Sequence, residues 1–204
     1  MKEKVIFATG NEDKMKEIRM ILANVDVEVL SLKEAGIVLE VEENGASFGE
    51  NAMIKARACA KQTDKAVLAD DSGLVIDYLN GEPGIHSARY MGTDTSYRIK
   101  NQNLIERLDG VSEEKRTARF VCAIAAVLPG GTELLVEGAM EGRIGYEEKG
   151  DNGFGYDPIF YVPEYGCTSA QMDPEQKNAA SHRGRALEKM KDRMISLGVW
   201  KSVR

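Results

Sequence analysis

Asp70 and Asp71 stand side by side between two apolar runs, Ala66 to Ala69 and Leu74 to Leu79. Like charges this close repel and raise one another's pKa, so the pair costs stability unless a proton or a cation relieves it. A hard divalent ion such as Mg²⁺ gives that relief, and carboxylates are its natural ligands. The chemistry open to the pair is therefore that of a metal ligand or a proton acceptor. The same residues also suit a plain bend at Ser72-Gly73, capped by one of the aspartates.

Four further stretches carry residues of similar promise. The segment KVIFATGNEDK places Gly10-Asn11 between an apolar strand, Lys4 to Thr9, and a helix from about Glu12 to Ala23. A glycine turn at a helix N-terminus offers backbone N–H groups to an anion, and Lys14 adds a full positive charge in the first turn. The spacing of Gly10 and Lys14 does not match the Walker signature, and Lys14 also suits a solvated helix face. Glu43 has no evident local partner, whereas Ser47 and Glu50 match a capping box for a helix reaching about Gln62. In GDNGFGYDPIF, glycines 150, 153 and 155 bracket Phe154, with Tyr156 and Asp157 next. Glycine-rich backbone allows close approach, and an aromatic face beside polar groups suits a flat heterocycle, although a tight turn into a strand at Ile159 to Val162 explains the pattern as well. Lys177, His182 and Arg183 gather at the expected start of the last helix, which runs to about Leu197 and stops at Gly198. They could meet a phosphate or a base edge, or face solvent.

The elements that must position these groups alternate between strand and helix. Val25 to Leu32 alternates apolar and polar residues, as a strand with one wet face does. A helix from Ser96 to Leu108, capped by Asp94 or Thr95, follows the turn at Glu82-Pro83-Gly84. Arg116 to Leu128 and Thr132 to Tyr146, joined by Pro129-Gly130-Gly131, predict an antiparallel hairpin that could floor a second lobe. The expected class is α/β.

Composition narrows the function. A length of 204 residues suits one domain or two lobes on one sheet, and the net charge of −6 with interspersed signs argues against a surface that coats nucleic acid. Cys59, Cys122 and Cys167 are odd in number and lack a CxxC pair, which predicts free thiols and a reduced, cytoplasmic setting. No signal peptide or membrane-spanning run is evident, and there is no internal repeat.

Taken together, ATGNEDKMKE (8–17), ENGASFGENAMIKA (43–56), ADDSGL (69–74), PGIHSARY (83–90), ARF (118–120), GFGYDPIF (153–160) and KNAASHRGRAL (177–187) resemble, in order, the inosine triphosphate pyrophosphatase family. The resemblance spans almost the whole chain. It implies a single nucleotide pyrophosphatase domain over residues 1–204, elongated and two-lobed, on a long mixed β-sheet with flanking helices and a central cleft, assembled as a homodimer. It implies hydrolysis of non-standard purine nucleoside triphosphates (dITP, ITP and XTP) to the monophosphate and pyrophosphate, with Mg²⁺. By position it puts Thr9, Gly10, Asn11, Glu12, Asp13 and Lys14 on the triphosphate. Glu43 and Asp71 match metal ligands, Asp71 matches the general base, and Lys14 and Asp70 stand beside it. Ser72 contacts substrate, while Phe154, Gly155, Tyr156, Asp157, Lys177, His182 and Arg183 line the nucleobase side. Asn44, Ala46 and Gln171 depart from the family's common residues.

Because a turn at Ser72-Gly73 would break strand alternation, either aspartate could be the base and either the ligand. Base choice is expected to rest on the 6-oxo group, read by backbone N–H groups and by His182 or Arg183. Two other readings are a Maf-like pyrophosphatase acting on modified or pyrimidine nucleotides, and a nucleotide sensor without turnover.

Overall fold

The structure, a computed structural model, describes residues 2–202. Seven strands form one mixed sheet in the order β2-β1-β3-β4-β5-β6-β7. They are β1 (Glu3–Phe7), β2 (Val27–Ser31), β3 (Ala66–Ile76), β4 (Thr117–Val127), β5 (Glu133–Ile144), β6 (Phe160–Val162) and β7 (Cys167–Thr168). β1 is parallel to both β2 and β3, whereas β5, β6 and β7 pair antiparallel. The helices are α1 (Glu12–Ile21), α2 (Phe48–Ala60), α3 (Tyr97–Arg107), α4 (Pro174–Ala180) and α5 (His182–Ser196). Among the described residues no helix is long and apolar enough to cross a membrane.

The chain divides into two compact units. Unit 1 comprises Met1–Asp71, Cys122–Gly138 and His182–Arg204, and unit 2 comprises Ser72–Val121 and Ala139–Ser181. In unit 1 the strands bury both faces. Val5, Phe7, Ala66, Leu68, Cys122 and Ile124 pack with Met15 and Ile18 of α1 and with Leu187 and Met190 of α5. Ile6, Ala8, Val67, Ala69, Ala123 and Ala125 pack on the other face with Ala52, Ala56 and Cys59 of α2. Odd and even positions of each strand thus face different helices, as a period of two requires. Unit 2 has its own core, built from Leu74, Ile76, Leu104, Phe120, Ile144, Tyr156 and Phe160. There Arg116 is buried, and its guanidinium donates to the carbonyls of Leu108, Ile144 and Gly145, so the charge lies among oriented dipoles rather than in water.

Several expectations need correction. Ala66 to Ile76 is one unbroken strand, so no bend exists at Ser72-Gly73; Gly73 does not take a positive φ, and the Leu74 N–H is satisfied by Ser87 Oγ at 2.9 Å. The last helix does not begin near Lys177. Ser181, in extended backbone, ends α4 and precedes α5, a position serine favours because its oxygen competes for helix-start N–H groups. Ser96 rather than Asp94 or Thr95 borders α3, and no side chain caps it. Ser47 Oγ does accept from Glu50 N–H at 3.1 Å, but Glu50 reaches one residue further back than expected, to the Ala46 N–H at 2.7 Å. The hairpin forms about Pro129-Gly130-Gly131, with Leu128 N–H bonded to the Thr132 carbonyl; its tip belongs to unit 1 and the far ends of its two strands to unit 2.

All three cysteines are free, as expected, and Cys59 and Cys122 are buried. Burial pushes their thiols up, to about 11 and about 12. A raised pKa leaves little thiolate at pH 8, and thiolate is the reactive form. Titration of the native protein with a disulfide reagent at pH 8 should therefore modify Cys167 quickly and the other two only after denaturant is added. Rapid reaction of all three would contradict the packing of unit 1.

Candidate functional site

Asp70 and Asp71 lie inside β3, and alternation sends them to opposite faces of the sheet. Asp70 continues the face of Ala66 and Leu68, toward α1 and α5. There its Oδ2 accepts from Lys14 Nζ at 2.9 Å and lies 3.5 Å from the Arg183 guanidinium, which also pairs with Glu17. Burial alone would raise the Asp70 pKa, but the charges of Lys14, Arg183 and Lys55 outweigh it and hold the carboxyl well below the usual range. Asp70 is thus a fixed anion that locks Lys14 in place.

Asp71 continues the other face, toward α2. Its Oδ2 accepts from Asn51 Nδ2 at 3.1 Å, and its Oδ1 lies 3.8 Å from Lys55 Nζ. Here burial, the largest influence, wins over Lys55 and Asn51, and with the Glu43 charge it raises the pKa. Lys55 Nζ is also 3.3 Å from Glu43 Oε2. Glu43 and Asp71 therefore converge on one cation position, marked in this structure by an ammonium. That donor set fits a hard divalent ion, which prefers carboxylate oxygens. Among the described residues no three His, Cys, Asp or Glu side chains surround a common point, so such an ion would complete its shell with phosphate oxygens and water.

The loop carrying Glu43 is held by the start of α2. Gly45 N–H donates to Asn51 Oδ1 at 2.8 Å, and a Cβ on Gly45 would stand 2.7 Å from Glu50 Cβ and 2.8 Å from Asn51 Oδ1, which explains the glycine. Across the strand, the first turn of α1 is partly occupied. Asn11 Oδ1 accepts from the N–H groups of both Asp13 and Lys14, at 3.0 Å each, and Thr9 Oγ1 accepts from Asn11. A Cβ on Gly10 would meet nothing within 4 Å and its φ is not positive, so neither local packing nor backbone strain demands glycine there.

In unit 2 the expected residues form a second cluster. Asp157 is buried and accepts from the Phe154 N–H at 2.8 Å, from Lys177 Nζ at 2.7 Å and from Ser169 Oγ at 2.8 Å. Lys177 lies over the Phe154 ring, 5.3 Å from its centroid. The buried Tyr156 donates its hydroxyl to the Ser87 carbonyl at 2.6 Å and meets Tyr97 edge-on, so it packs the core rather than presenting a face. Gly155, at φ +71, lies against the Tyr97 ring. Ser72, at the start of unit 2, is half-buried on β3. Gln171 closes a capping box with Thr168.

The expected basic group is divided. Lys177 belongs to unit 2, whereas His182 and Arg183 open α5 in unit 1, where Arg183 pairs with Asp70 and Glu17. Sequence reasoning missed Asn51 and Lys55. Their spacing of four on a helix places them on one face, the face that carries Ala52, Ala56 and Cys59 into the core beside it, and that periodicity was the available signal.

A glycine turn opening a helix, a lysine locked by a buried aspartate, and two carboxylates sharing one lysine ammonium are brought together in an α/β protein. The chain belongs to the Ham1 family, whose model matches residues 5–193. It is 48% identical over 198 residues to a dITP/XTP pyrophosphatase of Clostridium perfringens, covering 94% of this chain and 97% of that protein. It is 46% identical over 190 residues to a dITP/XTP pyrophosphatase of Geobacillus kaustophilus, covering 93% of each. Among solved structures it resembles a HAM1 protein from Coxiella burnetii, with TM-score 0.86 and 41% identity over 95% of this chain and 99% of that one. The Ham1 protein of Staphylococcus aureus is similar at TM-score 0.85 and 39% identity, with the same coverage.

Gly153, at φ +78, has Asp157 Oδ2 only 2.2 Å and Lys177 Nζ 2.8 Å from where a Cβ would sit. Gly153→Ala should therefore cost about 3 kcal/mol in urea unfolding, combining left-handed strain with overlap at a buried ion pair. A loss under about 0.5 kcal/mol, ordinary for a surface change, would show that the loop does not depend on this contact.

Proposed function

We propose that the chain hydrolyses dITP, ITP and XTP to the nucleoside monophosphate and pyrophosphate, as one enzymatic domain. The observation that carries this reading is the convergence of Glu43 and Asp71 on a single cation position, on the strand that also fixes Lys14 through Asp70. The substrate class comes from relatives of 46–48% identity along nearly the whole chain, which bear the name dITP/XTP pyrophosphatase. The family resemblance supports a homodimer acting in the cytoplasm.

Glu43 and Asp71 would hold a divalent ion, with Mg²⁺ the expected one; when bound, it neutralises phosphate charge and acidifies water. Lys14 and the turn at Thr9, Gly10, Asn11, Glu12 and Asp13 meet the triphosphate, through the ammonium and those N–H groups not already bonded to the Phe7 carbonyl, Thr9 Oγ1 or Asn11 Oδ1, because a helix N-terminus and an ammonium both favour anions. Asp71 takes a proton from the attacking water, since burial makes it the more basic of the two aspartates. The water oxygen bonds to the α-phosphorus, the bond from that phosphorus to the bridging oxygen breaks, and pyrophosphate leaves with its charge met by Lys14. Asp70 stays ionised and orients Lys14.

In unit 2, Phe154 with Lys177 above it suits a purine face, and Asp157 holds both in place. Gly155 allows backbone to approach a ring, and Tyr156 supports this loop from the core. A 6-oxo acceptor calls for donors, and the family resemblance assigns His182 and Arg183 to that role; adenine carries a donor at that position. Ser72 is assigned a substrate contact by the family resemblance.

Pyrophosphate release from dITP, ITP, XTP, GTP, ATP, UTP and TTP, with Mg²⁺ and with EDTA, tests the reading. ITP and XTP should exceed ATP in kcat/KM by about 10⁴, the scale for a site built around one hydrogen bond. Equal rates for ITP and ATP would refute a donor pocket, and preference for UTP or TTP would favour a Maf-like enzyme. The two aspartates should part company on substitution. Asp71→Asn should lower kcat by about a hundredfold with an unchanged far-ultraviolet spectrum. Asp70→Asn should cost about 3 kcal/mol of stability, because Lys14 and Arg183 lose a buried counter-charge. Equal effects of both substitutions on stability and turnover would contradict this division of roles.

A further inference from the structure

Resting on that reading, we infer that Asn51 is a positioning residue that sets the separation of the two carboxylates. Its side chain is fully buried, and its amide makes one bond in each direction: Nδ2 donates to Asp71 Oδ2 at 3.1 Å, and Oδ1 accepts from the Gly45 N–H at 2.8 Å. Gly45 is two residues from Glu43. One rigid planar group therefore ties the Glu43 loop to the Asp71 carboxylate. The chemistry of the two neighbours admits few other residues. A backbone N–H requires an acceptor and a carboxylate requires a donor, and of the side chains of this length only the amide supplies both. The network also fixes which end of the amide is which.

The helix makes the tie stiff. Asn51 is in the first turn of α2, its own N–H bonded to the Ser47 carbonyl at 3.1 Å, and Glu50 beside it holds the Ala46 N–H. With Oδ2 of Asp71 engaged by Asn51, Oδ1 is the oxygen turned toward Lys55 Nζ, the position that Glu43 Oε2 shares. Asn51 thus determines which carboxylate oxygen faces the cation. Groups that orient metal ligands from behind commonly change metal affinity by about 10–100-fold when removed.

The test compares Asn51→Leu, with the same number of side-chain heavy atoms but no hydrogen bonds, with Ala56→Gly, a buried change on the same helix that removes no polar group. The readouts are the Mg²⁺ concentration giving half-maximal dITP hydrolysis, kcat and KM for dITP, and the rise in unfolding temperature caused by Mg²⁺ without nucleotide. Asn51→Leu should raise the half-saturating Mg²⁺ about tenfold or more, lower kcat about tenfold and leave KM for dITP within about twofold, while the Mg²⁺-induced thermal shift shrinks. Ala56→Gly should lower the unfolding temperature and change none of these. Should Asn51→Leu fail to fold, Asn51→Asp takes its place: it keeps the shape and the acceptor for Gly45 but sets a carboxylate against Asp71, and its Mg²⁺ response should change in step. A Mg²⁺ dependence like that of the unsubstituted protein, in whichever variant folds, overturns the inference. If the unsubstituted protein hydrolyses none of the nucleotides, the functional reading fails, yet the nucleotide-free thermal shift still decides the role of Asn51.

Discussion

Everything in the site follows from the alternation of side chains along one buried strand. A β-strand cannot send adjacent residues to the same face. Asp70 and Asp71 are adjacent, so they enter different environments on the two faces, although the charge of Lys55 is felt by both. On one face the fixed cations Lys14 and Arg183 hold an anion permanently ionised. On the other, burial makes the second carboxylate reluctant to ionise. Two identical side chains thereby acquire different chemistry without any difference in sequence context beyond parity. Mutual repulsion of neighbouring acids, which would otherwise destabilise the strand, is weakened because each has its own counter-charge.

The same economy of means recurs in how loops are held. Loops carry their backbone N–H groups without the regular partners of a helix or strand, and a buried group left unpaired costs about 1–3 kcal/mol. In unit 1, Asn51 takes the Gly45 N–H and Glu50 takes the Ala46 N–H. In unit 2, Asp157 takes the Phe154 N–H and then binds Lys177. Each loop is fixed by a side chain whose second bond goes to a charged group. Loop conformation and charge placement are therefore coupled, and the glycines at 45 and 153 exist because the holding side chain comes too close for a Cβ.

How much of this was legible in the sequence depended on whether the signal was local. The strand, glycine turn and helix at the N-terminus, the Ser47 cap and the Gly130-Gly131 hairpin are set by neighbours in the chain, and they form as expected. Ser72-Gly73 misled because both residues favour turns, but propensity yields when a segment is a central strand whose every N–H and carbonyl must be paired. The error had a cost: with a turn, the faces of Asp70 and Asp71 could not be told apart, and with a strand they follow at once. Likewise, Lys177 and Arg183 look like one basic cluster when the helix is drawn through Ser181. Once serine is taken as a helix border, they separate, and each is found beside its own carboxylate. Lys55 was invisible as chemistry because a lysine on an amphipathic helix is ordinarily solvated. Only the packing of α2 against β3 shows that its ammonium is directed inward.

The charges around β3 are nearly balanced before any ligand is counted. Lys14, Lys55 and Arg183 supply three positive charges, and Glu17, Glu43, Asp70 and Asp71 supply four negative ones, in one ion-paired group on each face of β3. A triphosphate brings several more negative charges. The protein's own cations are already committed to its carboxylates, and Lys55 in particular cannot turn to a phosphate without leaving Glu43 and Asp71 facing each other uncompensated. A divalent ion held by Glu43 and Asp71 would supply the compensating charge if Lys55 turned to the incoming anion.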